Sequence, residues 1–360
     1  TDAENRLYSK RGYYYARSRD MYFRKNVELV NPEYTMRCDT LQYNIFTRKA
    51  TFHGPTTIQS ANDFLYCETG EYHTLRNTAR FGKNAYLHSE GQYLYGDSLF
   101  YDRAKGYGQA RGNIRVIDST EKLLIRGQFA EHFQKTNKTF ITRQVLASKG
   151  YESDSLFLRC DTLRAEYDTT GKYRILRGNR NARVFSTDFQ SLSDSVRYSF
   201  VDSTIELYNL PVMWFADYQA TADNIKIYTR NNDIDHVELM KNAFLVKPED
   251  SLRYSQIKGR DMIGYFSENK LYQIDVNGNG ESIYYAKDEE QAYIGMNYII
   301  CSNIQLFMAD QQINKIKFIE KPSARFIPML QIEDNDSRLP GFTWRINERP
   351  VNLEDFVAVK

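Results

Sequence analysis

The sequence predicts an all-β chain built of stacked β-hairpin repeats. Three observations lead there: one hairpin-like unit recurs about every 30 residues, its apolar positions alternate with period two on both sides of each turn, and sustained helical periodicity is absent. The clearest unit is Leu94–Asp118, LYGDSLFYDRAKGYGQARGNIRVID. An Asp-Ser-Leu step (Asp97, Ser98, Leu99) opens it, a polar turn closes at Gly106, and a second alternating run carries Ala110, Gly112, Ile114 and Val116. Tyr (28) and Phe (21) are plentiful, which suits strands.

The chain opens on residues 6–30, where Tyr13, Tyr14 and Tyr15 precede DMYFRKNVELV. These read as closing strands of a unit whose opening is missing. The start, TDAENRLYSKRG, is not a signal peptide. The basic cluster Lys10, Arg11, Arg17, Arg19, Arg24 and Lys25 reads as a solvated strand edge protected by charge.

The repeats proper run from about Asn31 to Tyr285. They are headed by Asp39, Asp63, Asp97, Asp161, Asp194, Asp223 and Asp261, with Gly127-Gln128-Phe129 filling the long interval before Asp161. Intervals range from 24 residues (Asp39 to Asp63) to 38 (Asp223 to Asp261), apart from that filled gap. A repeat of this size is a stacked array in which no unit buries its apolar face alone. Two alternating stretches (Ala292–Ile300, Ile304–Ala309) and a hairpin turning at Gln311 follow. From Pro322 the texture changes, and four of the eight prolines (Pro322, Pro328, Pro340, Pro350) lie in this tail. The expected organisation is an array over 1–320, divisible into two segments near 150, and a Pro-rich cap or docking tail over 321–360, with one short helical turn after Asn352.

Apolar residues fall at Met36 and Cys38 before the Asp and at Leu41 and Tyr43 after it. The odd step from Cys38 to Leu41 would switch faces in a straight strand. A bulge or corner at the Asp-Ser/Thr step restores a single face, and stacked corners fold a sheet into a V. A flat strand at Asp97–Leu99 would contradict this. The recurring Asp residues are expected to cap backbone N–H groups at those corners.

A net charge of +2 gives no field to hold DNA or RNA, so nucleic acid is not an expected partner. No apolar run reaches the length of a membrane-spanning helix. The four cysteines, Cys38, Cys67, Cys160 and Cys301, have no metal spacing and read as small buried residues. Cys38 and Cys160 would lie about 40 Å apart at roughly 4.8 Å per strand, too far for a disulfide. HExxH, GxSxG and P-loop patterns are absent, and the glycines of Gly106–Gly112 have the spacing of a turn. No enzyme activity, cofactor or metal is expected.

A splayed pair of apolar sheets leaves a groove suited to acyl chains. Its candidate lining is Leu41, Tyr43, Leu99, Tyr101, Phe129, Leu163, Val196, Tyr198, Ile225 and Ile227, and the same residues would equally fill a plain core.

The repeat (A/C/G)-D-(S/T)-L-x-Y, a turn, then G-N-(I/V)-x-V, as in GDSLFYD…ARGNIRV and CDTLRAEYD…LRGNRNARV, resembles the OstA/LptA-type lipopolysaccharide-transport family. VELVNPEYTMRCDTLQYN, GRDMIGYF…QIDVNGNGESIYY and LPGFTWRINERP resemble more narrowly the OstA-like proteins of Bacteroidota. The resemblance implies an elongated open β-jellyroll, or β-taco, that holds lipid A chains between its sheets. It also implies a periplasmic place, in contact with either membrane through partners or a missing N-terminal segment. Its partners would be lipopolysaccharide and other LptA-like jellyrolls, those of the inner-membrane extractor and outer-membrane translocon, joined end to end by strand addition. This chain departs from the minimal members in its length and Pro-rich tail. Two other classes compete: a closed β-solenoid that binds or cleaves envelope polysaccharide on its outer face, and a structural envelope scaffold.

Overall fold

The computed structural model describes residues 5–89, 91–150, 155–167, 170, 172–230, 233–309 and 312–358; the turn expected at Gln311 lies outside them. Two compact units divide the chain. The first runs to Phe157 and takes Asp161–Tyr173; the second takes Leu158–Cys160 and everything from Arg174 onward.

The first unit contains β1 (Arg6–Tyr8), β2 (Arg11–Tyr15), β3 (Asp20–Val30), β4 (Thr35–Asn44), β5 (Lys49–Gln59), β6 (Asp63–His73), β7 (Thr78–Ser89), β8 (Gln92–Asp102), β9 (Tyr107–Asp118), β10 (Leu123–Phe133), β11 (Lys138–Lys149) and most of β12 (Leu156–Tyr167). From β3 to β11, sequence neighbours pair antiparallel. The four-residue turns after β4, β6, β8 and β10 end on a left-handed residue (Arg48, Asn77, Gly106, Asn137), and successive turns are linked, as by Thr74 N to Arg48 O (3.0 Å) and Arg103 N to Asn77 O (3.0 Å).

The expected corner is present. The β8–β9 register jumps from Tyr95↔Arg115 to Ser98↔Arg111, so Asp97 sits in a bulge and β8 is not flat there. Equivalent jumps break β3–β4, β4–β5, β5–β6, β6–β7, β7–β8 and β9–β10. On the closing strands the bend is made by left-handed residues: Lys25-Asn26, Gly54, Lys83-Asn84, Gly112-Asn113 and Arg143-Gln144. Each strand therefore contributes to two walls. Wall A holds the Thr35–Cys38 and Gln92–Gly96 type of segment, and wall B the Thr40–Asn44 and Ser98–Asp102 type.

Register corrects the repeat phase at three places. Asp63 starts β6 in a turn closed by Ser60, whose Oγ accepts from the Asp63 amide (2.9 Å), and the corner position is Glu68. In β10, Gln128 takes the corner, so Ala130 and not Phe129 aligns with Leu99 through Ala110. In β20 the corner position is Arg260, because Met262 carries the inner row.

The second unit holds β13 (Tyr173–Phe185), whose first residue belongs to the first unit, then β14 (Phe189–Ser199), β15 (Thr204–Tyr208), β16 (Val212–Phe215), β17 (Tyr218–Thr221), β18 (Asn224–Arg230), β19 (Asp233–Pro248), β20 (Tyr254–Ser267), β21 (Lys270–Lys287), β22 (Tyr293–Ala309), β23 (Gln312–Ile319) and β24 (Ser323–Pro328). The two stretches expected at 292–309 are one bent strand, β22, which pairs with β24 on wall A and β23 on wall B. On wall A, β14 pairs β16, β16 pairs β17 and β17 pairs β19. On wall B, β14 pairs β15, β15 pairs β18 and β18 pairs β19, so the six strands close a small barrel.

The expected tail begins as strand, since Ser323–Pro328 is β24. Beyond it the chain lies on the outer face of wall A in this unit. Leu339, Phe342 and Trp344 pack with Phe244, Val246, Ile283, Tyr285, Met296 and Ile327. Three buried glutamines in one cross-strand row hold it. Gln256 donates to Ser337 O (2.8 Å) and accepts from Leu339 N (2.9 Å); Gln219 donates to Thr343 O (2.7 Å) and accepts from Arg345 N (2.7 Å); Gln190 accepts from Arg349 Nε (2.8 Å). The last described element is α1 (Leu353–Ala358), capped by Asn352, whose Oδ1 accepts from Asp355 N (2.8 Å), with Phe356 wholly buried.

Candidate functional site

Strand alternation assigns the inner face of each wall. In the first unit, a side chain at Gly127 on wall A would collide with Ile141 on wall B, so the rows flanking the corner face one another. Beside the corner these rows are buried: Val27, Cys38, Cys67, Ala85 and Ile114 on wall A, and Leu41, Phe52, Phe81 and Leu99 on wall B.

The next rows outward are different. On wall A, Ile58, Leu65, Leu87, Leu94 and Val116 are successive cross-strand partners, and all five are only half-buried. On wall B, Tyr43, Ala50, Tyr72 and Ala79 are half-buried and Tyr101 is 37% exposed. Apolar side chains that face inward yet touch solvent line an open trough. Beyond β9 the trough fills: Ile125, the partner of Val116, is fully buried, and the next residue of that row, Ala147, is buried too.

The two inward-facing rows of wall B in the second unit are buried from β15 to β22, whereas Ile316 and Phe318 on the edge strand β23 are half-buried and Tyr284 on wall A is 37% exposed. Val196, Leu207, Ile225, Met262 and Val276 form one buried row, and Ile227, Val237, Ile274 and Leu306 belong to the next. Between its walls, Ile257, Ser282, Ile304, Leu306 and Ile316 line a slot of about 10 Å³, room for no more than one water.

The ten sequence candidates are thus distributed unevenly. Tyr43 and Tyr101 line the open trough, and Leu41 and Leu99 form its floor. Leu163, Val196, Ile225 and Ile227 are core; Tyr198 is half-buried in a row with Ile205 and Ile227. Phe129 faces outward, in register with Arg111 and Thr142, and the Arg111 and Arg143 guanidinium groups lie 5.7 and 5.9 Å from its ring centre. The one-residue phase error places it on the opposite face from Leu99. Sequence reasoning missed the wall A row from Ile58 to Val116. Its signal was an aliphatic residue three places before each corner on the opening strands: Met36 before Asp39, Leu65 before Glu68, Leu94 before Asp97 and Ile125 before Gln128.

The corner acids hold their neighbours' left-handed asparagines more than backbone. Asn84 Nδ2 donates to Glu68 (2.7 Å), Asn113 to Asp97 (3.0 Å), Asn209 to Asp194 (3.2 Å) and Asn242 to Asp223 (3.0 Å). Backbone capping is made by Asp261, which accepts from Lys241 N (3.0 Å), and by Gln128, which accepts from Asn113 N (3.1 Å). A hydrogen bond from Arg260, then that amide bond, hold the Asp261 carboxyl below its ordinary range.

All four cysteines are free and buried, and burial pushes the Cys38 and Cys67 thiols up to about 12. At the filled end of the trough, His132 shares a hydrogen bond with Thr139 (2.9 Å), and burial lowers its pKa. Thr139 is a hydrogen-bonding neighbour of Tyr167, and the Tyr167 and Tyr173 rings lie 4.7 Å apart. Burial, foremost, and the Asp118 carboxylate of wall A among lesser causes raise both phenols. Among the described residues no His, Cys, Asp and Glu cluster could hold a metal ion, and no helix is long and apolar enough to cross a membrane.

No curated protein matches the sequence. Among solved structures, LptH of Pseudomonas aeruginosa, the LptA-homologous periplasmic component of its lipopolysaccharide transport device, is similar at 16% identity, covering 27% of this chain and 75% of its own, with a TM-score of 0.26. The WD40 domain of SCAP from fission yeast matches at 7% identity over 91% of this chain and 89% of its own, with a TM-score of 0.15. Neither likeness bears on the fold at these scores. Residues 1–39 match the family described as OstA-like protein.

Proposed function

We propose that this chain is a periplasmic lipid carrier of the lipopolysaccharide-transport type, an open β-jellyroll that holds lipid A acyl chains in the trough of its first unit and passes them toward the outer membrane. The observation that carries this is the half-exposed aliphatic row Ile58–Leu65–Leu87–Leu94–Val116 on an inward face. Water there is displaced at a gain of about 25 cal/mol per Å² of apolar surface, which favours a long alkyl guest. The OstA-like match over residues 1–39 and the repeated GDSLFYD…GNIRV motif support the same reading. The carrier makes and breaks no covalent bond and needs no cofactor, and its partners are LptA-like jellyrolls that add strands at its ends. A narrower membership among the Bacteroidota proteins is part of this proposal and rests on the motif resemblance.

Mass spectrometry of lipid extracted from protein purified out of its native envelope tests the reading. Lipid A species should accompany the wild type and be lost from Leu94→Asp, whose charge would stand on the trough wall. A folded wild type without bound lipid overturns the proposal and favours the closed solenoid or the scaffold.

A further inference from the structure

Within the first unit the trough changes character between one strand and the next. Val116 on β9 is half-buried, whereas its cross-strand partner Ile125 on β10 is fully buried. Wall B changes at the same strand, where the row of Tyr72, Ala79 and Tyr101 reaches His132 through Gly108. From His132 a polar chain continues along Thr139 and Tyr167, and the Tyr167 ring lies 4.7 Å from that of Tyr173. Asp118, at the rim of wall A, and Tyr173 are both buried here.

An alkyl chain advancing past β9 would have to part packed walls. It would also separate the hydrogen-bonded pair His132 and Thr139, which an alkyl chain cannot replace as a partner. Between β5 and β9 the described lining is aliphatic or aromatic apart from the floor residue Thr56, along a run of about 20 Å at roughly 4.8 Å per strand.

Resting on the carrier reading above, we infer that the acyl-binding stretch ends at β9, against a built-in stop made by His132, Thr139, Tyr167 and Tyr173, and that the interior of the second unit takes no lipid. The stop residues position the guest and do no chemistry.

The test uses the wild-type chain and a lipid A analogue whose acyl termini carry a diazirine. After photolysis, adducts are mapped by peptide mass spectrometry. Adducts should fall within residues 50–118 and be absent from 123–149 and from the second unit. A double variant, Thr139→Val with Tyr167→Phe, should keep the first adducts and add new ones on β10 and β11, because it removes the His132–Thr139 bond and the Tyr167 hydroxyl with little change of volume. Wild-type adducts at Ile125, Ile141 or inner residues of the second unit overturn the stop and leave the carrier reading standing. An unchanged adduct map in the folded double variant overturns the polar chain as its cause. Absence of adducts everywhere overturns the carrier reading and the stop with it.

Discussion

Asn113 reaches across the β8–β9 corner to Asp97, its Nδ2 lying 3.0 Å from the carboxylate Oδ2. Asn113 and its neighbour Gly112 both have left-handed backbone, φ 46° and 70°, and a side chain at Gly112 would collide with the same carboxylate. One pair of residues thus makes the bend and the other end of the bond holds it. Gly112→Ala should destabilise the first unit by about 1–3 kcal/mol, through left-handed strain together with the collision. Asn113→Ala should cost about 1 kcal/mol. Urea denaturation followed by tyrosine fluorescence would measure both, and an unchanged midpoint for Gly112→Ala would contradict this account of the corner.

The tail depends on its glutamine row. Gln219→Ala leaves Thr343 O and Arg345 N without their partner, a loss of about 2–5 kcal/mol in tail docking if both groups stay buried. Limited proteolysis should then cut within residues 329–352 well before any site in the strands. Equal cleavage rates in wild type and variant would show that apolar packing of Leu339, Phe342 and Trp344 suffices.

Thiol chemistry should be silent in the folded chain. With the Cys38 and Cys67 thiols pushed up to about 12, only about one molecule in ten thousand carries either thiolate at pH 8. Iodoacetamide should label neither until guanidinium unfolds the protein. A raised acid pKa also means that this contribution to stability is complete below the unfolded thiol value of about 8.5 and is lost as pH rises beyond it.

His132 acts in the opposite pH range. Burial lowers its pKa in the folded state, while the unfolded imidazole takes a proton near about 6.5. Below that value the unfolded chain binds more protons, so stability falls as pH drops from 7 toward 5. Thermal midpoints of wild type and His132→Gln across this range should show the wild-type slope reduced in the variant. Parallel curves would assign the slope to other groups.

Much of the corner geometry was legible in local spacing. The odd step from Cys38 to Leu41 required a bulge, and the structure has one at Asp39, as at Asp97. Where an acid had a different local task the phase slipped: Asp63 belongs to the Ser60 turn, and Glu68 makes the corner bond with Asn84. Phe129 slipped by one residue because Gly127-Gln128 offers no acid to mark the corner. The helical turn after Asn352 was readable because its cap lies within three residues of its partner.

By itself the sequence determined the β class, most of the turns and the alternation of faces, since each depends on residues a few positions apart; the closed six-strand arrangement of β14 to β19 it did not. It did not determine which inward face stays open. Leu94 and Leu245 occupy the same inward alternation on wall A, yet one is half-buried and the other buried at 4%. That difference depends on the separation of two walls, set by contacts between residues distant in the chain and by the space their side chains fill. Tertiary packing also decided that the Pro-rich tail lies on the outer face of the second unit, because the apolar surface it covers there, from Phe244 to Ile327, exists only once the strands have assembled.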